Sequence, residues 1–340
     1  MTNVLVTGAT GFVGSHLIDF LLANTDWKIY CLVRWRSPLN NLQQHLPLIE
    51  KGERLVLLNG DLRDHGSLVE TVHYSQPDYV FHLAAQSFPK TSFDSPVDTL
   101  DTNILGTCRL LEALAYARNN GISPEHPKVH ICASSEVFGR VSKDELPINE
   151  DCRFHPASPY AISKVGTDLI GRFYAEAYNM NVQTTRMFTH TGPRRGDVFA
   201  ESNFAKQIAM IERGLIEPVI KVGNLKSMRT WADVRDAVRA YHMLLTVDPI
   251  PGAYYNIGGD YSCTIGDMLE TLIGMSRVRP RIVEDTSRLR PIDADLQVPD
   301  TSKFRAHTGW EPKIKFQQTM ADLLAYWRAE IVRGRAVTYR

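Results

Sequence analysis

Val4-Leu5-Val6, followed at once by Thr7-Gly8-Ala9-Thr10-Gly11-Phe12-Val13-Gly14, is the stretch that decides the fold. Three apolar residues make a short strand, and Val13, Leu17, Ile18, Leu21 and Leu22 then recur at helical spacing. Between them the glycines fall as GxxGxxG. At such a junction the first glycine permits a tight turn, the middle one lets backbone approach a pyrophosphate, and the last allows close helix packing. The helix N-terminus then faces the anion. A glycine triplet alone is a weak signal. With a strand before it and a helix after it, it reads as a dinucleotide-binding loop made of Gly8, Thr10, Gly11, Phe12, Val13 and Gly14.

Working outward, further strands read at Ile29–Val33, Leu55–Leu58, Tyr79–Leu83, Val129–Ala133 and Val182–Phe188. A long helical pattern lies between Leu100 and Ala117, and another follows Tyr160. Strands that are apolar throughout, rather than alternating, are buried on both faces, as in a parallel sheet covered by helices. The expected fold is α/β: a Rossmann-type, doubly wound parallel sheet over residues 1–188 plus part of 222–250, and a smaller mixed α/β substrate lobe from 189–221 and 251–340. In such sheets ligands bind beyond the carboxyl ends of the strands. Candidate positions therefore lie at 7–14, Arg34, Asp61, 84–87, 134–136 and Thr189.

The 340 residues carry 38 Lys plus Arg against 38 Asp plus Glu, so no global field steers the chain toward nucleic acid or an anionic membrane. Any bound anion has to be held locally. The five cysteines (Cys31, Cys108, Cys132, Cys152, Cys263) include no CxxC pair and are odd in number, which argues against a disulfide framework or a zinc site. No stretch reaches the ~18 apolar residues of a membrane span, and the N-terminus does not read as a leader. The expectation is a cytoplasmic protein with reduced thiols, no metal, no nucleic-acid partner and no membrane partner.

The second strand ends in Val33-Arg34-Trp35-Arg36, where an acid would accept from the ribose hydroxyls of NAD and an arginine would suit a 2′-phosphate. Arg34 and Arg36 therefore favour NADP; two solvated surface arginines are the alternative. Asp61 ends the next strand, placed either for the adenine or as a turn cap. Tyr160 and Lys164 stand four apart at the start of a helix introduced by Ser158-Pro159, so they share a face. A nearby ammonium favours a phenolate and would lower the tyrosine pKa from ~10.

With Ala133-Ser134-Ser135-Glu136 and the Tyr160-xxx-Lys164 pair added to the glycine loop, the sequence resembles the extended short-chain dehydrogenase/reductase family over essentially its whole length. Within it, several stretches look like the GDP-mannose 4,6-dehydratases: Leu83-Ala84-Ala85-Gln86-Ser87-Phe88 with Ser92-Phe93-Asp94, Gly192-Pro193-Arg194-Arg195-Gly196, Gly223-Asn224-Leu225 leading to Arg229, and Arg290-Pro291-Ile292-Asp293. The GDP-4-keto-6-deoxymannose reductases are similar in the Ser-Ser-Glu, Tyr and Lys set and over residues 219–234.

The resemblance implies a division of labour. Ser134, Glu136, Tyr160 and Lys164 would be catalytic. Leu62, Leu83, Ala84 and Ala85 would join the glycine loop, Arg34, Arg36 and Asp61 around NADP. Gln86, Ser87, Ser135, Thr189, Arg229, Arg290 and Asp293 would hold a GDP-sugar, the two arginines on its pyrophosphate and Asp293 on its ribose. Glu136 narrows the reaction, since the four-epimerases usually have a small residue there whereas a dehydratase needs a carboxylate to remove the C5 proton before water leaves C6. A glutamate that only caps a helix or pairs with a base is the alternative. Thr189 stands where family members usually have asparagine, so manno-heptose is expected alongside mannose; Thr230 stands in place of a usual aspartate. Arg194, Arg195 and the loop from Arg36 to about Glu53 would mediate contacts in a homodimer or homotetramer.

Overall fold

A computed structural model describes residues 1–122, 127–289 and 294–334. The first six strands are β1 (Asn3–Thr7), β2 (Lys28–Val33), β3 (Leu55–Asn59), β4 (Tyr79–His82), β5 (Lys128–Cys132) and β6 (Val182–Met187). Each runs within a residue or so of its apolar stretch. Seven further strands follow: β7 (His190–Thr191), β8 (Val219–Val222), β9 (Met228–Asp233), β10 (Tyr254–Ile257), β11 (Tyr261–Thr264), β12 (Arg281–Glu284) and β13 (Leu296–Gln297).

The large sheet has seven strands in the order β10-β6-β5-β4-β1-β2-β3, every pair parallel. The order reverses between β1 and β4, so the crevice of a doubly wound sheet opens beside the glycine loop. Residues 254–257 were expected in the smaller lobe; they instead form the edge strand of this sheet, in register with β6. The strand is only four residues long, and its buried Asn256 breaks the apolar run while donating to the Ile148 carbonyl at 2.9 Å. The segment 100–117 is not one regular helix either. Helix Pro96–Leu100 widens into a π turn over Asp101–Leu105 before helix Gly106–Asn119 resumes.

Helix Pro159–Tyr178 carries Tyr160 and Lys164. Ser158 caps it by accepting from Ala161 N at 3.0 Å, proline takes the first turn, and Asn179 stops it in the left-handed region. Beneath this helix, Asp168 takes the Arg186 guanidinium of β6 at 2.8 and 3.2 Å, both side chains essentially sealed from water. Asp168→Ala leaves that guanidinium buried and unpaired. It should cost about 3–5 kcal/mol, read as a fall in the urea midpoint; a loss under ~1 kcal/mol would mean the arginine finds another partner.

The smaller lobe packs helices Ala200–Glu212, Ile265–Gly274 and Phe316–Val332 against β8 and β9, with Trp231, Trp327 and Met268 in its core. β11, β9 and β13 form one small sheet with β7 added beside β9, and β12 pairs with β8 in another.

Candidate active site

The glycine loop is shaped by contacts that leave no room for side chains. Gly8 lies at φ +72°, and a Cβ there would come 2.8 Å from Ala84 N across the crevice. A Cβ on Gly14 would stand 2.2 Å from the Gly8 carbonyl oxygen. Helix Phe12–Asn24 has Gly11 as its cap, no side-chain cap and no acid in its first turn, so its N-terminal amides are left for an anion. Thr7 Oγ1 accepts from Ala84 N at 3.1 Å and bonds the buried His82 ring at 2.8 Å, and His82 reaches Thr107 at 3.0 Å. This chain ties the β1 and β4 ends to helix Gly106–Asn119. Burial holds the imidazole of His82 down to about 3, with the charge of Lys164 acting the same way, so it stays neutral.

Arg34 and Arg36 are exposed just past β2, with Arg36 at φ +67°. Asp61 follows β3. Burial works to raise its pKa, but the Arg63 amide and guanidinium, with the charge of Arg34, hold it below the usual carboxylate range. The Leu62 side chain is core, packed on Gly106, so only its backbone can face a ligand. Leu83, Ala84 and Ala85 are half-buried just past β4, with the Leu83 and Ala84 backbone closest to Gly8.

The four catalytic candidates come together at the carboxyl ends of β5 and the start of helix Pro159–Tyr178. Ser134 caps the turn Ser135–Val137 by accepting from Glu136 N at 3.2 Å, and it hydrogen-bonds the Tyr160 phenol. Because Ser134 provides the cap, the Glu136 side chain has no such duty. Among the described residues its carboxylate makes no hydrogen bond or ion pair, yet it lies within electrostatic reach of Tyr160. Lys164 Nζ donates to the Cys132 carbonyl at 2.7 Å and lies 6.0 Å from the Tyr160 ring centroid.

The expected lowering of the Tyr160 pKa by Lys164 does not hold. Burial pushes the phenol well above its ordinary value; the Ser134 hydrogen bond and the Arg195 charge pull it down, while Glu136 adds to the rise. Burial likewise lowers Lys164, opposed by its contact at Cys132. One of the three ammonium donors goes to this strand-end carbonyl and ties the helix to β5.

Among the residues assigned to substrate, Ser135 is buried beside Ser134, Ser87 is exposed, and Thr189 lies half-buried with its carbonyl accepting from Ala232 N at 2.9 Å. The Gln86 amide is spent on its own loop: Oε1 accepts from Phe88 N at 2.6 Å, and Nε2 donates to Phe88 O and Thr99 Oγ1. Arg229 sits on β9 opposite Cys263 and donates to the Met228 carbonyl at 3.0 Å. Thr230 is buried and shares a 2.6 Å hydrogen bond with Ser262 across the β9–β11 pair, which accounts for a hydroxyl at that position. Arg290 and Asp293 lie outside the described residues.

One positioning residue was not singled out from the sequence. Asn103, in the π turn, accepts from Gln86 N at 2.8 Å and donates to the Gln86 carbonyl and to Ser163 Oγ, joining the β4 loop to the Tyr160 helix. A lone Asn inside a helical pattern is its only sequence signal. Arg195, expected at a contact between subunits, has its guanidinium over the rings of Phe199 and Phe12.

With this geometry in hand, comparison with known proteins is decisive. The profile of the family described as GDP-mannose 4,6 dehydratase matches residues 5–323. The chain belongs to the GDP-mannose 4,6-dehydratase family. It is 32% identical over 345 residues to the GDP-mannose 4,6 dehydratase of Drosophila melanogaster, covering 94% of this chain and 84% of that one. It is 30% identical to the GDP-6-deoxy-D-mannose reductase of Pseudomonas aeruginosa over 97% of this chain and 98% of the other. A solved structure of RMD from Pseudomonas aeruginosa complexed with NADPH superposes with a TM-score of 0.80 at 30% identity, covering 97% of this chain and all of that one. The parallel sheet and flanking helices of that enzyme fold are those described above.

Proposed function

We propose that this chain is a sugar-nucleotide 4,6-dehydratase that converts GDP-mannose or GDP-manno-heptose to the 4-keto-6-deoxy sugar nucleotide, with NADP as its cofactor. The observation that carries the reading is the Glu136 carboxylate, uncommitted to any partner among the described residues and within electrostatic reach of Tyr160. Gly8, Gly11 and Gly14, a cradle without side chains, and the exposed Arg34 and Arg36 would hold NADP, which when bound would supply the hydride acceptor for C4 and the hydride donor for C6. Tyr160, hydrogen-bonded to Ser134, removes the proton of the C4 hydroxyl. The resulting 4-keto group acidifies C5, Glu136 takes that proton and gives one to the C6 hydroxyl as it leaves as water; as hydride is added at C6 the carboxyl, recharged from solvent, returns a proton to C5, and Tyr160 releases the proton it took, so that one water is lost overall.

Five free cysteines support a reducing, cytoplasmic setting. Among the described residues no helix is long and apolar enough to cross a membrane. A homodimer or homotetramer is supported by the exposed Ile162, Leu169 and Phe173 on the Tyr160 helix and Leu105 and Tyr116 nearby, a run of apolar side chains with no cover in the single chain.

A second reading, an NADPH-consuming reductase of the 4-keto sugar, is favoured by the reductase relative that matches end to end, 97% and 98% of the two chains. One experiment separates them. Incubation with GDP-mannose or GDP-manno-heptose and no added reductant should give a product lighter by one water in the mass spectrum. Product formed only from a 4-keto sugar nucleotide with NADPH would make the protein a reductase.

A further inference from the structure

The loop from Arg36 to about Glu53 was expected at contacts between subunits, yet the part that follows Arg36 is anchored on its own chain. Arg36 lies at φ +67° and Ser37 N donates to the Arg34 carbonyl at 2.9 Å, so the chain turns back as it leaves β2. It then runs as a short 3₁₀ helix, Asn40–His45, against helix Phe12–Asn24. Three anchors hold it there. Leu42 is sealed from water in the same core as Leu17, Ile18 and Leu21 of that helix. Asn41 Nδ2 donates to the Thr10 carbonyl at 3.0 Å. His45 Nε2 and Gln44 Nε2 both donate to Oδ1 of Asp19, at 2.6 and 3.0 Å, and Arg194 pairs with the other oxygen of that carboxylate.

The Asn41 contact falls on the glycine loop itself. Gly11 N donates to the Gly8 carbonyl at 3.0 Å, so the Thr10–Gly11 peptide is held on both sides, its N–H by Gly8 and its carbonyl by Asn41. A trans peptide is planar with its C=O and N–H opposed, so the two bonds together fix its rotation. That peptide leads directly into the first turn of helix Phe12–Asn24, whose amides have no side-chain cap, and its orientation sets where those amides point. A glycine-rich stretch has little stiffness of its own, and Asn41 supplies a tether from outside it. The grip on Asp19 acts elsewhere. Arg34 and Arg36 lie on the stretch between the end of β2 and these anchors, so the path that carries both arginines is fixed at each end.

We propose that the Asn40–His45 turn is a clasp that shapes the cofactor site from within the same chain, with Asn41, Gln44 and His45 as positioning residues. Asn41 sets the glycine loop for the pyrophosphate, and the grip of Gln44 and His45 on Asp19 sets Arg34 and Arg36 for the 2′-phosphate. The inference rests on the NADP reading above and adds the side chains that act through the cradle and the arginines. An asparagine suits position 41 because its neutral amide donates to a carbonyl, whereas a carboxylate there has no proton to give and adds a negative charge beside the anion site.

The test titrates NADPH and NADH by fluorescence, with GDP-mannose affinity and melting temperature alongside, for the wild type, Asn41→Leu, Asn41→Asp and the double variant Gln44→Ala/His45→Ala. Leu42, the core anchor, is untouched in all of them. Asn41→Leu keeps the volume and removes the donor. It should weaken NADPH and NADH alike by about three- to tenfold, the range of one lost hydrogen bond, and Asn41→Asp should weaken both further. The double variant should lose NADPH by about tenfold and NADH by less than about twofold, narrowing the preference between them. GDP-mannose affinity should stay within about twofold throughout. A lower melting temperature with both nicotinamide affinities unchanged would make these contacts structural only and overturn the inference. So would an equal loss of GDP-mannose and NADPH, an Asn41→Leu variant that spares NADH, or a double variant that loses NADH as much as NADPH. A wild-type protein that binds NADH as tightly as NADPH overturns the NADP reading itself, a result distinct from variants that bind both as the wild type does.

Discussion

Glu136→Gln is expected to stop exchange of the C5 hydrogen with solvent deuterium and to lower water loss by roughly 10²–10⁴-fold, the usual contribution of a positioned acid–base group. The substitution keeps shape and removes only the ability to take a proton. It should not disturb the fold, because the turn Ser135–Val137 is capped by Ser134 and the Glu136 side chain makes no hydrogen bond or ion pair among the described residues. In the proposed mechanism oxidation at C4 uses Tyr160 and Ser134, so a variant given GDP-mannose should still accumulate reduced nicotinamide absorbance and then stall. Mass spectrometry of sugar recovered from deuterium oxide checks the exchange. Undiminished incorporation at C5 would assign the proton to another base, and loss of the absorbance change would place Glu136 in the C4 step.

What could be read from the sequence followed from periodicity and from rigid backbone demands. The glycines at 8 and 14 stand where a Cβ would strike Ala84 N or the Gly8 carbonyl, a demand that only one residue type meets. β1 to β6 are apolar because both faces of the sheet are covered, and that pattern shows in one dimension. β10 was missed because it is short and carries Asn256, whose role in holding Ile148 is visible only when residues over a hundred apart meet. The roles of polar side chains were harder to assign, since a hydrogen bond depends on what folds back against the group. Gln86 fits the resemblance, yet its amide closes its own loop. The Tyr160–Lys164 spacing correctly puts both on one helix face, but spacing does not reveal that burial raises the phenol or that one ammonium donor goes to Cys132 O. Arg195 reads from the resemblance as part of a subunit contact, and that Glu201, Phe199 and Phe12 close around it shows only in the fold.

Tyr160→Phe should abolish measurable turnover, a fall of at least about 10³-fold, while NADP binding stays close to wild type. The first half follows because, among the described residues, no other hydroxyl takes the phenol's place: Ser134 Oγ accepts from Glu136 N and serves the phenol, and Lys164 is held by the Cys132 carbonyl. The second half follows because the cofactor cradle is backbone from the glycine loop, together with Ala84 and the arginines past β2. Loss of one hydroxyl leaves the ring packing intact, so the melting temperature should move little. The pH dependence then distinguishes a base from a spectator. Burial raises the phenol pKa, opposed by the Ser134 hydrogen bond and by Arg195, so at neutral pH the free enzyme holds a neutral phenol and the competent phenolate fraction grows as pH rises. Wild-type kcat/KM should therefore climb through the neutral and mildly alkaline range. Any residual rate in Tyr160→Phe should be flat across it, and a variant that kept the climb would show that another group carries the proton. Replacing Arg195 by Met removes one of the two influences that lower the phenol pKa, so the same climb should move to higher pH in that variant.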